Sequence, residues 1–298
     1  MSEEPRVAVV VVSYETRETL LEGLATLGTE PAASVVVVDN ASRDGTAAAV
    51  RERFPSVRLI ANAENVGFAR ACNQGARASQ APYLLFLNPD ATLDPGSLRA
   101  LTALLDAKPR VGVVGPRTRS DSGAIQVSTG DDLSPLTELR QRRLVKGVAR
   151  REASVLAEAE ALHAVEREVD WVSGACLLIR RDAFDAVSGF DERFFLYEED
   201  ADLCRRVRAA GFSVLFSPSA EARHALGRSM ARAPERARLE YQRSHLLYYR
   251  KHCSPAQTIA LRLWLLARAE LALVLGTLSL NGRRIREAFA LLRVAGGG

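Results

Sequence analysis

Short runs of consecutive apolar residues alternate with stretches of helical periodicity over the first part of the chain. The apolar runs lie at residues 7–14, 34–40, 57–62, 83–88 and 111–116. They are rich in Val, Ile and Leu and do not alternate with polar residues, which is typical of strands in a parallel sheet that helices cover on both faces. The stretches between them repeat apolar residues about every 3.6 positions, so each predicts a helix. The pattern predicts an α/β fold, Rossmann-like, with a mostly parallel central sheet and flanking helices.

The second half of the chain repeats these signals less regularly. Strand-like runs return at 169–181 and 213–218, with a helical stretch between them. Residues 131–168 are polar, basic in their first half and free of strong turn signals, which predicts a helical insertion or a mobile loop. We therefore expect residues 1–225 to form the α/β domain and residues 226–298 to form a basic, helical C-terminal region.

Polar and acidic residues recur where the predicted strands end. A single Asp after a strand is usually turn chemistry, because Asp and Pro favour loops. Several such groups indicate a shared site, because the carboxyl ends of parallel strands meet at one edge of a sheet, where ligands bind. The recurrence therefore predicts a ligand site at this edge. The strand ends read Ser13-Tyr14-Glu15, Asp39-Asn40, Asn62 and Asn88-Pro89-Asp90.

Composition places the chain among ordinary soluble globular proteins, with 47% hydrophobic and 26% charged residues in 298. The four cysteines are scattered and form no CxxC pair, which argues against a zinc knuckle or a disulfide framework and favours a reducing compartment. Acidic residues precede the first apolar run, so we do not expect a signal peptide. The chain has no GxxxxGK[ST], GxGxxG, GxSxG or HExxH motif, so it carries no fingerprint of a P-loop, dinucleotide-binding, α/β-hydrolase or zinc-protease site.

The net charge of +4 hides an asymmetry between the two parts of the chain. Residues 226–298 carry 13 Lys and Arg against 4 Asp and Glu, a local charge of +9, whereas residues 1–225 carry −5. A basic tail favours an anionic partner, either nucleic acid or a membrane surface, although a solvated Arg-rich surface also fits. Aromatic residues interleave with basic ones only weakly, at 241–252, so we expect no nucleic-acid partner.

The longest apolar stretch of the tail covers residues 258–280. Arg262, Arg268 and Glu270 interrupt it, so we do not expect it to span a membrane. At about 100° per residue the three charges leave one apolar face free. That face fits a helix lying in a bilayer interface, and it fits equally a helix packed on the protein's own core or on a second subunit in a homodimer.

An acidic cluster begins the helix that follows residue 197. Glu198, Glu199, Asp200 and Asp202 in a first helical turn can simply meet the helix dipole. The apolar run 194–197 before them would also place part of the cluster out of water. Burial and neighbouring carboxylates raise a carboxyl pKa, which a general base requires.

His224 follows the last predicted strand. A lone His is more often a surface or core residue than a ligand. Together with Asp90 it could complete a site for Mg²⁺ or Mn²⁺ whose other positions belong to substrate phosphates and water. The spacing of the two residues alone does not establish that site.

Several ordered segments resemble the family 2 inverting glycosyltransferases of GT-A fold, and above all their rhamnosyltransferase-like branch, which extends bacterial polysaccharides. The resemblance covers most of residues 7–229. In order, the matching segments are "VVVVSYE", "VVVVDNASRDGT", "NVGFARACNQG", "LLFLNPDATL", "WVSGACLLIRRDAFDAVSGFDERFFLYEEDADLCRRVRAAG" and "HALGRS".

The resemblance implies roles for individual residues. Asp200 would be the catalytic base, with Glu199 in reserve. Asp90 would occupy the metal-binding position of the DxD motif, whose first Asp is Asn88 here, and His224 would be a second ligand. The residues implied to hold the nucleotide sugar are Ser13, Tyr14, Glu15 and Asp39 around base and ribose, and Asn65, Gly67, Phe68, Arg70 and Asn73 around nucleotide and diphosphate. Relatives often read "GFAGGNN" where this chain has Arg70-Ala71-Cys72-Asn73, so Arg70 would supply a cation there.

The implied activity is metal-dependent transfer of a sugar to a hydroxyl of a glycan or lipid-linked glycan. The family suggests dTDP-rhamnose as donor, with UDP- and GDP-sugars open. Such an enzyme would work in the cytoplasm, at the inner face of the cytoplasmic membrane. Two alternatives remain: a non-catalytic scaffold that binds nucleotide sugars or glycans, and a sugar nucleotidyltransferase, which usually begins with a Gly-rich basic loop that this chain lacks.

Overall fold

The computed structural model describes residues 5–27, 33–225 and 234–296. Residues 226–229 of the "HALGRS" segment and the expected boundary at residue 226 lie outside the described residues. The strands are β1 (Val7–Ser13), β2 (Ala33–Asp39), β3 (Arg58–Ala61), β4 (Tyr83–Leu87), β5 (Ala91–Leu93), β6 (Val111–Arg119), β7 (Ile125–Gln126), β8 (Thr129–Gly130), β9 (Arg167–Glu168), β10 (Trp171–Val172), β11 (Cys176–Arg180) and β12 (Ser213–His224). The helices are α1 (Arg17–Leu27), α2 (Thr46–Arg53), α3 (Phe68–Arg77), α4 (Ser97–Ala107), α5 (Pro135–Ala149), α6 (Ala153–Leu162), α7 (Arg181–Ala186), α8 (Glu199–Ala209), α9 (Pro234–His252), α10 (Pro255–Leu278) and α11 (Gly282–Gly296).

The central sheet is mostly parallel, as the sequence predicts. Its strand order is β3-β2-β1-β4-β11-β6-β12-β5, with β7 paired to β6 and β9 to β12. The strands β3, β2, β1 and β4 run parallel, and β6 runs parallel to β12. Between these two groups β11 runs antiparallel to both β4 and β6, and β5 is antiparallel to β12. The predicted fold class, α/β with flanking helices and a helical C-terminal region, is confirmed.

Two apolar clusters cover the two faces of the sheet, which explains why the strands lack alternation. Along β1, Val7, Val9 and Val11 belong to one cluster, and Ala8 and Val10 to the other. Every residue of β1 is buried. A strand covered on both faces needs apolar side chains at successive positions, since each face buries every second one.

The C-terminal helices pack on one of these faces. Tyr248 of α9, Leu265 of α10 and Val294 of α11 join the same cluster as Phe86 of β4. Tyr248 is among the largest fully buried side chains of the described residues. The described part of the tail therefore shares the apolar core of the sheet.

Residues 131–168 contain the helices α5 and α6. A small apolar cluster of Ile125, Leu144, Val155 and Ala159 lies beneath them. At Gly147 a Cβ atom would lie 2.6 Å from Val155 Cγ1, so glycine permits the close approach of the two helices. That this segment moves stays a prediction.

Candidate active site

A cavity of about 410 Å³ opens at the carboxyl-terminal edge of the parallel strands. Its walls come from the ends of β1, β2 and β4, from the segment before β11, from the start of α8 and from α9. The predicted site residues on its walls are Tyr14, Asn65, Phe68, Asn88, Asp90, Glu199, Asp200 and His224.

The pairing of β5 with β12 brings Asp90 and His224 together. His224 lies opposite Ala91 across this antiparallel pair, and the Ala225 amide donates to the Asp90 carbonyl at 3.0 Å. Asp90 Oδ1 lies 3.3 Å from His224 Nε2, and Asn88 Nδ2 lies 3.3 Å from the same nitrogen. Side chains separated by more than 130 positions in sequence therefore share one corner of the cavity.

A glutamine orients the other side of the His224 ring. Gln126 Oε1 lies 3.3 Å from His224 Nδ1, and Gln126 Nε2 donates to the His224 carbonyl at 2.6 Å. With the proton on Nδ1, the ring would donate to Gln126 and leave the Nε2 lone pair beside Asp90. Metal-binding histidines use this arrangement, because the outer hydrogen bond fixes the tautomer.

The chemistry of these donors fits a hard divalent cation whose remaining ligands come from a substrate. A carboxylate and an imidazole leave most coordination positions open, which Mg²⁺ and Mn²⁺ fill with phosphate oxygens and water. No group of three or more His, Cys, Asp and Glu side chains that could hold a metal occurs in the described ranges. The Asp90–His224 pair fits an ion whose remaining ligands are the phosphate oxygens of a diphosphate and water.

Asp200 lies at the start of α8, on the cavity wall. The Gly174 amide donates to its Oδ2 at 2.8 Å, and the Ala201 amide donates to its Oδ1 at 2.8 Å. Burial raises the pKa of Asp200 above its usual value, and the two backbone donors oppose that rise. The two amides therefore fix the orientation of the carboxylate, which lies on the cavity wall and can accept a proton there.

Glu199 differs from its neighbour. It is 5% exposed, and its Oε2 has no hydrogen-bond partner among the described residues. Burial, together with the charge of Asp200, raises the pKa of Glu199 well above its usual value. A carboxyl group in this environment favours the neutral form, so Asp200 is the better placed base of the two.

Asn40 organises the wall on the nucleotide side. Its Nδ2 donates to Asn65 Oδ1 at 2.9 Å, and its Oδ1 accepts from the Val66 amide at 3.0 Å. Gly67 follows with φ of +88°, and a Cβ there would lie 2.8 Å from the Phe195 carbonyl oxygen. That oxygen accepts a hydrogen bond from the Phe68 amide at 2.7 Å. Only glycine lets this loop approach the 195 segment so closely.

Three predicted residues lie at the strand ends, behind the cavity wall. Ser13 is buried, and its Oγ lies 2.8 Å from Thr16 Oγ1. Glu15 accepts from the Arg43 amide at 2.8 Å. Asp39 is 3% exposed, and burial raises its pKa. They support the loops around the cavity and do not line it.

Two further predicted residues of α3 are engaged elsewhere. Asn73 is buried, donates to the Phe190 carbonyl and accepts from the Phe190 amide, both at 2.9 Å. Arg70 forms an exposed ion pair with Glu192 at 3.5 Å. Neither lines the cavity, and the roles that the resemblance implies for them stay predictions.

The structure adds residues that the sequence did not single out. Arg236, Ala237 and Glu240 of α9 line the cavity, and the Arg236 guanidinium lies 5.5 Å from the centre of the Phe195 ring. No motif marks these positions. The Ser173–Ala175 segment carried a signal, since it belongs to a segment of the family resemblance, yet it was not named as a site. Asn40 was expected at the ligand edge as a strand-end residue, but no role was assigned to it.

Comparison with solved structures identifies the fold. The mannosyltransferase PcManGT from Pyrobaculum calidifontis, solved in complex with GDP-Man and Mn²⁺, has a TM-score of 0.58 at 18% identity, covering 98% of this chain and 86% of that one. S. aureus TarS 1–349 in complex with UDP-GlcNAc has a TM-score of 0.53 at 16% identity, covering 82% of this chain and 66% of that one. At these identities the likeness shows the fold alone, which is that of GT-A glycosyltransferases.

Comparison of sequences defines the family. The profile described as "Glycosyltransferase like family 2" matches residues 5–241. The N-acetylglucosaminyl-diphospho-decaprenol L-rhamnosyltransferase of Mycobacterium tuberculosis is 37% identical over 239 residues, 76% of this chain and 78% of that protein. The rhamnosyltransferase WbbL of Escherichia coli K12 is 43% identical over 56 residues, 19% of this chain and 21% of that protein. The chain belongs to glycosyltransferase family 2, in its rhamnosyltransferase-like branch, and is a glycosyltransferase.

Proposed function

We propose that the protein transfers a sugar from a nucleotide sugar to a hydroxyl of a lipid-linked glycan, with inversion at the anomeric carbon. The observation that carries the proposal is the cavity, whose walls hold both the Asp90–His224 pair and the carboxylate of Asp200. A transferase needs a holder for the diphosphate and a base for the acceptor in one place. A scaffold that only binds sugars needs no base, so this combination favours catalysis.

Asp90 and His224 would hold Mg²⁺ or Mn²⁺ beside the donor diphosphate, with Asn88 next to them. When bound, the ion would neutralise the charge that grows on the departing diphosphate. The walls formed by Tyr14 and Phe68 offer aromatic surfaces to the nucleotide. The resemblance implies that Ser13, Glu15 and Asp39 hold the base and ribose of the donor. It implies that Asn65, Gly67, Arg70 and Asn73 line the pocket for the nucleotide and diphosphate.

Asp200 would take the proton from the acceptor hydroxyl as its oxygen bonds to the anomeric carbon. On the opposite face of that carbon the bond to the diphosphate oxygen breaks, so the configuration inverts. The amides of Gly174 and Ala201 orient the carboxylate for this step. Its pKa, raised by burial, makes it a better proton acceptor than an exposed Asp.

The Mycobacterium tuberculosis relative supports a choice of substrates. Its name describes transfer of L-rhamnose to N-acetylglucosaminyl-diphospho-decaprenol. At 37% identity over three quarters of this chain, the same type of donor and acceptor are the first to test. We therefore propose dTDP-rhamnose as the donor and an N-acetylglucosaminyl diphosphate on a polyprenyl lipid as the acceptor.

A lipid-linked acceptor requires the enzyme to work at a membrane surface, and α10 offers a face for this contact. Among the described helices none is long and apolar enough to cross a membrane. The helix α10 is nonetheless apolar on two opposite sides. On one side Leu261, Leu265 and Ala269 are buried in the protein. The exposed large apolar residues of the other side are Ile259, Leu263, Trp264, Leu271, Val274, Leu275 and Leu278.

Positive charge beside this face favours an anionic lipid surface. Arg268 lies 4.6 Å from the centre of the Trp264 ring, at one edge of the exposed face. Arg284 and Arg286 add exposed positive charge on α11, the helix that packs against α10. An apolar face edged by arginine is typical of helices that lie in a bilayer interface. We propose that α10 contacts the inner face of the cytoplasmic membrane.

A transfer assay tests the proposed reaction. Purified protein, Mn²⁺, dTDP-rhamnose and a short-chain polyprenyl diphosphate carrying N-acetylglucosamine should yield a rhamnosylated product by mass spectrometry. The anomeric configuration of the product by NMR should be opposite to that of the donor. Donor binding without transfer to this or any other glycan acceptor would favour the scaffold, and retention of configuration would contradict the role of Asp200.

A further inference from the structure

Two consecutive residues with positive φ precede the catalytic pair. Tyr197 has φ of +72° and Glu198 has φ of +65°, immediately before Glu199 begins α8. Residues other than glycine rarely adopt this conformation, and where they do the surrounding structure must hold them. The 196–198 turn sets the direction in which α8 starts, and so the direction of Asp200.

One face of α9 holds this turn. Ser244 Oγ donates to the Leu196 carbonyl at 2.7 Å. His245 Nδ1 lies 2.8 Å from Glu198 Oε1. The Tyr241 ring stacks on the His245 ring, with centroids 5.4 Å apart, and lies edge-on to the Tyr197 ring. The turn is therefore bound through its backbone, its carboxylate and its aromatic side chain.

A second carboxylate approaches His245 from α5. Glu138 Oε1 lies 3.3 Å from His245 Nε2. Glu138 also accepts hydrogen bonds from the Tyr249 hydroxyl and from Arg142, the latter at 2.9 Å. His245 is 1% exposed, and both carboxylate residues are 9% exposed. One buried imidazole thus connects the helix within residues 131–168 to the turn before the catalytic pair.

The imidazole is charged at neutral pH. The groups that face it are Glu138 from α5, Glu198 from the turn, and Tyr241 and Tyr249 from α9. Burial alone would lower the pKa of His245, but its contacts with Glu138 and Glu198 raise that pKa to about 9. Two buried carboxylates would repel each other across a neutral side chain, so a cation between them holds all three groups in place.

We propose that His245 is a positioning residue for the transfer reaction: by bridging Glu138 and Glu198 it holds the 196–198 turn and aims Asp200 at the acceptor. This role rests on the proposed function, because Asp200 must be the base. His245 itself does not line the cavity, and it acts through Glu198. Residues 131–168 would then contribute to the position of Asp200, because Glu138 of α5 contacts the side of the imidazole that faces away from Glu198.

His245→Gln tests the proposal. It keeps a side chain of similar length and removes the charge. We expect kcat to fall about 10- to 100-fold, the usual effect of a displaced catalytic group, while donor Kd by calorimetry stays unchanged. The wild-type kcat should also decline as pH rises through about 9, when His245 loses its proton. His245→Gln should lack this decline.

His252→Gln is the matched control. His252 lies two turns further along α9, and its Nε2 lies 2.6 Å from Asp202 Oδ1, so it too joins α9 to an acid of α8. Lys251 and Arg206 also pair with Asp202 and remain after the substitution. We expect an unchanged kcat and an unchanged alkaline decline. An equal loss in both variants would show that His245 is merely structural, and so would overturn the proposal.

Glu138→Gln provides a second variant that keeps the imidazole. Removing one of its two carboxylates lowers the pKa of His245, so the alkaline decline in kcat should begin at lower pH than in the wild type. An unshifted pH profile in this variant, or a full kcat in His245→Gln, would contradict the proposal. A wild-type protein that does not bind the donor would instead refute the proposed function. Failure of the His245 proposal and failure of the proposed function therefore give different results.

Discussion

Neighbouring carboxyl groups acquire different properties from a few contacts at the start of α8. Asp200 is half-buried, and each of its carboxylate oxygens accepts a hydrogen bond from a backbone amide. Glu199 is buried, and its Oε2 has no hydrogen-bond partner in the described part of the chain. The family resemblance implied Asp200 as the base and Glu199 in reserve. The residue pattern by itself could not separate the two, because the Gly174 amide that orients Asp200 comes from a different segment of the chain.

Asp200→Asn should lower turnover by about 10²–10⁴, the usual contribution of a general base. The amide group nearly preserves the shape of the carboxylate, so donor Kd should stay the same. Steady-state kinetics and calorimetry with the same preparation provide both values. Asp185→Asn, on the exposed side of α7, is the control and should keep wild-type activity. Full activity in Asp200→Asn would assign the base elsewhere.

The elements of the sheet were predictable because long apolar runs report burial on both faces. The five strands expected in the first half all appear within a few residues of their predicted bounds, apart from β6, which continues to Arg119. Short strands such as β5 contain too few residues to form a long apolar run, so the sequence did not predict them. The pairing of β5, three residues long, with β12 depends on hydrogen bonds between distant segments, yet this pairing places Asp90 beside His224.

For the apolar residues of α10 the sequence left three partners open: a bilayer interface, the protein's own core and a second subunit. One side packs on the core through Leu261, Leu265 and Ala269, so core packing does not account for the large apolar residues that are exposed on the opposite side. The membrane and a second copy of the chain are the two partners that could cover this exposed side.

Removing apolar side chains from the exposed side of α10 should abolish membrane binding. Leu271 and Leu278 are 59% and 79% exposed, so replacing both by Ser should leave the fold intact. We expect the full chain to sediment with vesicles containing phosphatidylglycerol and to bind pure phosphatidylcholine less. The double variant should bind at least about tenfold more weakly, because each leucine buried in lipid contributes roughly 1.5–3 kcal/mol.

Val165→Ser is the control for this experiment, since Val165 is 57% exposed and lies outside α10. It should bind vesicles like the wild type. Light scattering on the same samples identifies the other partner. A wild-type dimer that becomes monomeric in the double variant, without any vesicle binding, would mean that a second copy covers this face.

At the scale of the whole molecule, the cavity joins segments that the chain keeps far apart. The 88–90 segment, the 198–200 segment and His224 carry family motifs, so the sequence alone predicted that they meet. The contribution of α9 was not predictable, because Arg236 and Glu240 belong to no motif and reach the cavity only through the packing of the tail on the sheet. His245 was hidden for the same reason.

The central claim is that Asp90 and His224 hold a divalent ion that binds the donor diphosphate. Calorimetric titration of dTDP-rhamnose into the protein, with Mn²⁺ and then with EDTA, tests it most directly. We expect binding that depends on the metal in the wild type and in Asp121→Ala, which removes an exposed carboxylate between β6 and β7. In Asp90→Ala the metal should no longer affect donor binding. The same metal dependence in Asp90→Ala, or no binding of any dTDP-, UDP- or GDP-sugar to the wild type, would contradict a metal-held donor diphosphate at Asp90 and His224.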